Sequence, residues 1–143
     1  MMQISSRFSV AVHVLTLLAV TPAGELLTSD RMAGSVNTNP VVIRRILGQL
    51  KKAGLVEVRA AAGGTYLRRA AAAITLLDVY RAVEVVEHNL FSIHDKPNPK
   101  CPVGRNIQAA LDDTLRQAQA ALEQQLAGVN VAQIATGMGE LVG

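Results

Sequence analysis

The fold is decided by residues 28–67, TSDRMAGSVNTNPVVIRRILGQLKKAGLVEVRAAAGGTYL. A first helix is predicted to begin at Thr28 or Ser29, because either side-chain oxygen can accept a hydrogen bond from an early backbone N–H. A tight turn at residues 36–38 follows. A second helix is predicted from Pro40, since Asn39 is a good N-cap and proline suits the first helical position. Two short helices joined in this way are typical of a helix-turn-helix.

The second helix has an apolar side and a basic side. Its apolar residues recur every three or four positions, which predicts a buried stripe of Val42 or Ile43, then Ile46, Leu47 and Leu50. The basic residues around the rest of it are Arg44, Arg45, Lys51 and Lys52. Residues 53–54 end the helix, residues 55–59 alternate like a strand, and a glycine-tipped turn at 62–64 leads into a returning strand at 65–68. This order predicts a winged helix-turn-helix.

Positive charge is concentrated in the same region. Residues 39–69 hold seven basic and one acidic side chain, for a net +6, whereas residues 1–38 sum to zero and residues 70–143 to −3. A local basic patch on a helix and hairpin indicates a polyanionic partner, namely double-stranded DNA. The alternative is an ordinary solvated helix face, which the position between a capped helix and a Gly-Gly hairpin disfavours.

Several motifs together resemble the Rrf-two (Rrf2) family of bacterial winged-helix transcriptional regulators. They are RFSVA at 7–11, VNTNPVV at 36–42, LKKAGLV at 50–56, the hairpin at 59–67, ITLLDVYRAV at 74–83 and NPKCPVG at 98–104. The closest likeness is to a subgroup that lacks an iron–sulfur cluster. The resemblance implies a fold that is mainly α with a small β-hairpin, comprising a winged helix-turn-helix and a long C-terminal dimerisation helix.

The resemblance also implies a homodimer that regulates transcription, as a repressor, on a dyad-symmetric operator. Arg44, Arg45 and Asn39 are expected at base edges or phosphates, and Arg59 and Thr65 at the minor groove or its backbone. The full set of expected DNA contacts is Ser29, Thr38, Asn39, Pro40, Arg44, Arg45, Arg59, Thr65 and Tyr66. The rival from another class is a winged helix used for protein contacts without DNA.

Four segments are expected along the chain. Residues 1–85 form the DNA-binding domain, 86–102 a proline-rich loop, 103–127 a long helix, and 128–143 a flexible tail containing Gly137, Gly139 and Gly143. The long helix carries an apolar stripe at three- and four-residue spacing, which calls for a partner helix. In the resembling family this helix dimerises, so the expected interface residues are Ile107, Leu111, Leu115, Ala118 and Leu122. The alternative is that the helix folds back on its own domain.

Cys101 is the single cysteine, so no intrachain disulfide can form, which fits a reducing cytoplasm. In cluster-binding members of the family three cysteines precede the long helix, and the corresponding other places here hold Asp95 and Asn89, with Gly104 at the place of a fourth ligand. No cluster or other cofactor is therefore expected. Cys101 follows Lys100 at a helix start, where dipole and ammonium favour a thiolate, so it is either a redox sensor or a packing residue.

Other classes of function find little support. The histidines His13, His88 and His94 accompany no nucleophile elbow, phosphate loop or carboxylate pair, so no enzyme is predicted. The spacing of the loop histidines, Asp95 and Cys101 matches no metal-site motif, so no metal is expected. His13 is expected to pack in the N-terminal helix that follows Arg7. The apolar run after Arg7 mimics a leader peptide, but its helical periodicity and length favour a cytoplasmic protein without a membrane partner. The effector remains open: thiol oxidation, a small molecule or a metal.

Overall fold

The computed structural model describes residues 6–22, 25–59, 64–84 and 97–142. Within these ranges the chain forms six α-helices, a 3₁₀ turn at Ala71–Ala73 and one two-stranded antiparallel sheet. The helices are α1 Ser6–Val20, α2 Ser29–Val36, α3 Pro40–Lys52, α4 Leu76–Val83, α5 Pro102–Ala127 and α6 Val131–Val142, and the strands are β1 Val56–Arg59 and β2 Gly64–Leu67. The predicted fold class, mainly α with a small hairpin, is confirmed.

The core is aliphatic and is built around α1, which packs against α2, α3, α4, α6 and β2. Ala11, Val14 and Leu15 of α1 are fully buried there. Full burial of aliphatic side chains such as Val or Leu stabilises a fold by roughly 1.5–3 kcal/mol each. None of the described helices combines the length and apolarity that a bilayer crossing needs.

The helix-turn-helix forms where its capping residues predict. Thr28 Oγ1 accepts a hydrogen bond from the Arg31 N–H at 3.3 Å and so begins α2. Asn37 ends α2 in the left-handed conformation, with φ of 63°, which asparagine tolerates better than most residues. Asn39 Oδ1 then accepts from the Val41 N–H at 2.9 Å and begins α3 at Pro40. The end of α2 at Asn37 and the start of α3 at Asn39 together fix how the chain turns from one helix into the next.

The hairpin is attached to the chain segment that precedes α2. β1 pairs with β2 in the register Val56 to Leu67 and Arg59 to Gly64, and Thr65 N–H donates to the Leu27 carbonyl at 3.2 Å. A Cβ at Gly64 would overlap the Leu26 side chain, so only glycine permits this approach. Of the predicted turn at residues 62–64, only Gly64 belongs to the described residues. The bridge to Leu27 holds the wing against the helix-turn-helix.

A capping box formed by Thr75 and Asp78 begins α4. Asp78 N–H donates to Thr75 Oγ1 at 3.1 Å, and Thr75 N–H donates to Asp78 Oδ2 at 3.0 Å. Arg69 adds a 2.8 Å ion pair to the same carboxylate oxygen. Burial alone would raise the pKa of Asp78, but the hydrogen bonds from Thr75 and the Arg69 guanidinium outweigh it and lower that pKa. The strand-to-helix junction after the wing is thereby fixed.

The expectation of a flexible tail at 128–143 is wrong. Residues 131–142 form α6, which packs on α1, and Val131 is fully buried. Asn130 and Gln133 exchange side-chain-to-backbone hydrogen bonds of 2.9 and 2.8 Å, which is the reciprocal pattern of a capping box. Backbone bonds from Leu76 N–H to the Val129 carbonyl and from Val131 N–H to the Ile74 carbonyl join the segment to the start of α4. The tertiary contacts compensate for the glycines.

Candidate nucleic-acid interface

Helix α3 presents its basic side to solvent. Ile43, Ile46 and Leu50 are fully buried, Leu47 nearly so, and Arg44 and Arg45 are exposed. The division follows the helical spacing of the sequence, since the apolar stripe faces α1, α2 and α4. The predicted separation of a buried side and a guanidinium-bearing side is confirmed.

Arg44 lies near Asp30, an acidic residue of α2. Its Nη2 is 4.0 Å from Asp30 Oδ1 on α2, and the two side chains are 60% and 79% exposed. An ion pair this long and this exposed contributes little, about 0–1 kcal/mol. Arg44 is therefore held only loosely and is available to a stronger anion such as a phosphate. The two residues lie on different helices, so their proximity depends on how α2 packs against α3 and could not be predicted from their spacing in the sequence.

The rest of the basic surface of α3 is also largely accessible. Lys51 Nζ pairs with Glu57 of β1 at 3.7 Å, and its side chain stays 54% exposed. For Arg45 and Lys52, both exposed, no ion pair occurs within the described ranges. Arg69, by contrast, holds Asp78 and the Ala73 carbonyl, so it serves the α4 junction. We call the exposed cations of α3 the recognition surface; they are Arg44, Arg45, Lys51 and Lys52. Arg69 is not part of it.

The turn and the N-terminus of α3 contain Thr38, Asn39 and Pro40, whereas the expected contact Ser29 is the first residue of α2. Asn39 is exposed, whereas Ser29, Thr38 and Pro40 are half-buried. The cap at the Val41 N–H uses Asn39 Oδ1, which leaves the amide NH₂ as its free donor. Backbone N–H groups at a helix N-terminus attract anions, so this end of α3 suits a phosphate.

On the wing, the outward side chains are Arg59 and Tyr66. The Arg59 guanidinium carbon lies 4.9 Å from the centre of the Tyr66 ring, a cation–π contact, and Tyr66 is 37% exposed. Thr65 departs from the expectation: it is 5% exposed, on the inner face of β2. Its burial leaves the hydroxyl no access to a DNA groove, so Thr65 is removed from the candidate contacts. Arg59 and Tyr66 remain as the wing's candidates.

Cys101 is exposed and forms the N-cap of α5. Its side chain makes no capping hydrogen bond of ordinary geometry, yet the backbone N–H groups of Gly104 and Val103 face the thiol and lower its pKa. The lowering arises from the helix N–H groups rather than from the Lys100 ammonium that the sequence suggested. Cys101 thus combines exposure with a lowered pKa, two features that favour thiol reactivity.

The residues present do not fit an iron–sulfur cluster. Such clusters are held by several thiolates, and this chain has one cysteine. The place of a fourth ligand holds Gly104, where even a Cβ would overlap the Asn98 carbonyl oxygen. Within the described ranges no three His, Cys, Asp or Glu side chains converge as metal ligands would. His88, His94, Asp95 and Asn89 lie outside the described residues.

The predicted dimerisation stripe lies on a helix that its own chain leaves largely uncovered. Among residues 102–127 only Gln119 is buried, and the one substantial contact of α5 within the described structure is with α4. Leu111 is 39% exposed, and the other stripe residues, Ile107, Leu115, Ala118 and Leu122, are half-buried. Arg81 of α4 pairs with Glu123 at 3.3 Å and helps anchor the C-terminal half of α5.

Comparison with known proteins agrees with this architecture. The sequence profile of the Rrf2 family, described as iron-dependent transcriptional regulators, matches residues 4–137. The chain is 47% identical over 131 residues to YwnA of Bacillus subtilis (strain 168), which is named as an HTH-type transcriptional regulator. The alignment covers 92% of this chain and 96% of YwnA.

Solved structures show the same fold. A crystal structure described as that of a DNA-binding protein is 43% identical, with a TM-score of 0.73, and the match covers 90% of this chain and 98% of that one. CymR (YrzC), the global cysteine regulator of B. subtilis, has a TM-score of 0.72 at 20% identity, covering 95% of this chain and 98% of CymR. The chain belongs to the Rrf2 family of winged helix-turn-helix transcriptional regulators, which bind DNA.

Proposed function

We propose that this regulator acts as a homodimeric repressor on a dyad-symmetric operator, with α3 in the major groove and the wing at the adjacent minor groove. The observation that carries the proposal is the recognition surface on α3, where Arg44 and Arg45 are exposed opposite a fully buried apolar side. Exposed guanidinium groups on a helix whose other side is packed in the core are suited to bidentate contacts with guanine and phosphate.

The homodimer is supported by the uncovered stripe of α5. A helix of 26 residues is about 39 Å long, and it contacts its own domain, within the described ranges, mainly through α4. Partly exposed apolar residues at three- and four-residue spacing bury further surface when a second copy covers them, which stabilises the pair. A twofold pair would present two α3 helices to half-sites about 34–36 Å apart, one turn of DNA.

Cys101 is proposed to make repression responsive to thiol oxidation. The thiol is exposed and its pKa is lowered at the start of α5, so it is suited to react with peroxide or a disulfide. Because each chain has one cysteine, the product is a sulfenic acid, a mixed disulfide with a small thiol, or a bridge between subunits. Each adds bulk or charge at the end of the proposed dimer helix.

The decisive experiment selects bound fragments from the source genome with reduced and with oxidised protein. We expect enrichment of a palindromic site by the reduced protein, with binding that weakens steeply as salt rises. Failure of duplex DNA to bind at any salt concentration would favour the rival, a winged helix used for protein contacts. Enrichment of one identical site set by reduced and oxidised protein would refute the redox response but not the DNA-binding role.

A further inference from the structure

A cavity of about 240 Å³ lies where three helices meet, away from the recognition surface. It is lined by His13, Thr16, Leu17 and Val20 of α1, Ser35 of α2, and Ala135 and Met138 of α6. The cavity exists because residues 131–142 form a docked helix instead of a flexible tail. Its walls therefore come both from the C-terminal helix α6 and from α2 of the helix-turn-helix.

The walls are apolar, with polar groups concentrated in one place. Leu17, Val20, Ala135 and Met138 supply hydrocarbon and thioether surface, and no charged side chain lines the cavity. His13 Nε2 lies 3.0 Å from Ser35 Oγ and so links α1 to α2. The composition is that of a site for a mostly apolar molecule with one hydrogen-bonding group.

The Thr16 hydroxyl is less available to a ligand, because it already donates to the Val12 carbonyl at 2.8 Å. The His13–Ser35 pair is consequently the polar group that a ligand would meet. The imidazole of His13 can donate or accept according to its tautomer, so it can serve either a hydroxyl or an amino group.

The size of the cavity limits the ligand. An apolar cavity of roughly 150 Å³ is enough to bind benzene. A volume of about 240 Å³ therefore fits an aromatic molecule of one or two rings. Val20 and Met138 are 59% and 47% exposed at its edge, and covering them would add apolar burial.

We propose that this cavity binds a small uncharged aromatic molecule bearing one hydroxyl or amino group, and that its occupancy changes DNA affinity. The second part rests on the proposed function. A ligand bonded to His13 competes with Ser35, whose position is two residues before the Asn37 turn that leads into α3. Since a ligand shifts an equilibrium only through unequal affinity for two states, loss of the α1–α2 bond is the difference it would act on.

The test uses 2-naphthol, which is fluorescent, uncharged at neutral pH and carries one hydroxyl. Titration of the full-length protein should show saturable binding. Ala135→Phe fills the cavity and should weaken binding by at least about tenfold. Thr136→Phe places the same side chain at an exposed position of α6 outside the cavity lining and should leave binding unchanged.

A second measurement does not depend on a variant that must fold. In protein with ¹³C-labelled methionine methyl groups, 2-naphthol should shift the Met138 signal and leave that of buried Met32 in place, with assignment by Met138→Leu and Met32→Leu. Absence of saturable binding, equal binding by folded Ala135→Phe, or an unmoved Met138 signal would overturn the proposal. Normal binding of 2-naphthol with unchanged DNA affinity would overturn its regulatory part alone. Failure of DNA binding without 2-naphthol would instead count against the proposed function.

Discussion

Replacing Arg44 by Ala should weaken operator binding while leaving the fold intact. The side chain is 60% exposed and its contact with Asp30 is 4.0 Å long, so its loss costs about 0–1 kcal/mol in the free protein. If Arg44 contacts guanine, the variant loses about 1–3 kcal/mol of discrimination at one base pair of each half-site. With 1.36 kcal/mol per tenfold, the loss is roughly 5- to 150-fold per subunit.

If Arg44 holds a phosphate instead, all sequences should weaken equally. The slope of log affinity against log salt should then fall in magnitude by about 0.9 per contact, or about 1.8 for a dimer. Fluorescence anisotropy with the operator, a single-base variant and an unrelated duplex over a salt series distinguishes the two cases.

The matched control is Arg116→Ala, which removes an exposed arginine paired with Asp112 on α5, outside the recognition surface. Asp30→Asn should strengthen binding modestly, because it removes a carboxylate that competes with DNA for Arg44. If the double variant Arg44→Ala, Arg45→Ala binds the operator as tightly as Arg116→Ala does, the assignment of α3 as the reading helix is refuted.

Three further predictions concern the dimer, the thiol and the wing junction. Leu115→Asp places an unpaired charge in the α5 stripe and should produce monomers in sedimentation; a wild-type monomer at micromolar concentration would contradict the dimer. Cys101→Ser should retain DNA binding and lose any response to peroxide, so an unchanged response would make Cys101 structural. Asp78→Asn should lower the free energy of unfolding by about 1 kcal/mol near pH 7. Because the pKa of Asp78 is lowered, this contribution is present above the unfolded pKa of about 3.9 and is lost as the pH falls through the folded pKa. Denaturation curves at pH 7 and pH 2.5 check it, and an equal deficit at both would refute the ionic origin.

The helix-turn-helix could be predicted because its signals are local. The caps at Thr28, Asn39 and Thr75 each involve hydrogen bonds to a backbone N–H two or three residues away, so residue type and spacing suffice. The apolar stripe of α3 is equally short in range. The start of α3 and its buried face can therefore be predicted from the sequence without knowledge of tertiary contacts.

What the sequence could not indicate depends on distant segments. The inward face of Thr65 is set by its bridge to Leu27, and the Arg44–Asp30 contact by the packing of two helices. Helix α6 differs from the expected flexible tail because the glycines, each costing roughly 1 kcal/mol in a helix, favour mobility unless tertiary contacts offset them. Asn130 and Gln133, three residues apart, nevertheless form a local helix-start signal of the same kind as the other caps.

The length of α5 makes it a lever arm. The C-terminal half of α5 is held by α4, and the other half of this 26-residue helix is about 20 Å long. A rotation of about 10° would therefore displace its N-terminal end by about 3 Å. In the proposed dimer, joined along α5, such a displacement would change the spacing of the two α3 helices over successive major grooves. Under the proposed thiol response, a chemical change at Cys101 that rotates α5 would alter the geometry over the operator without any contact between the modified group and DNA.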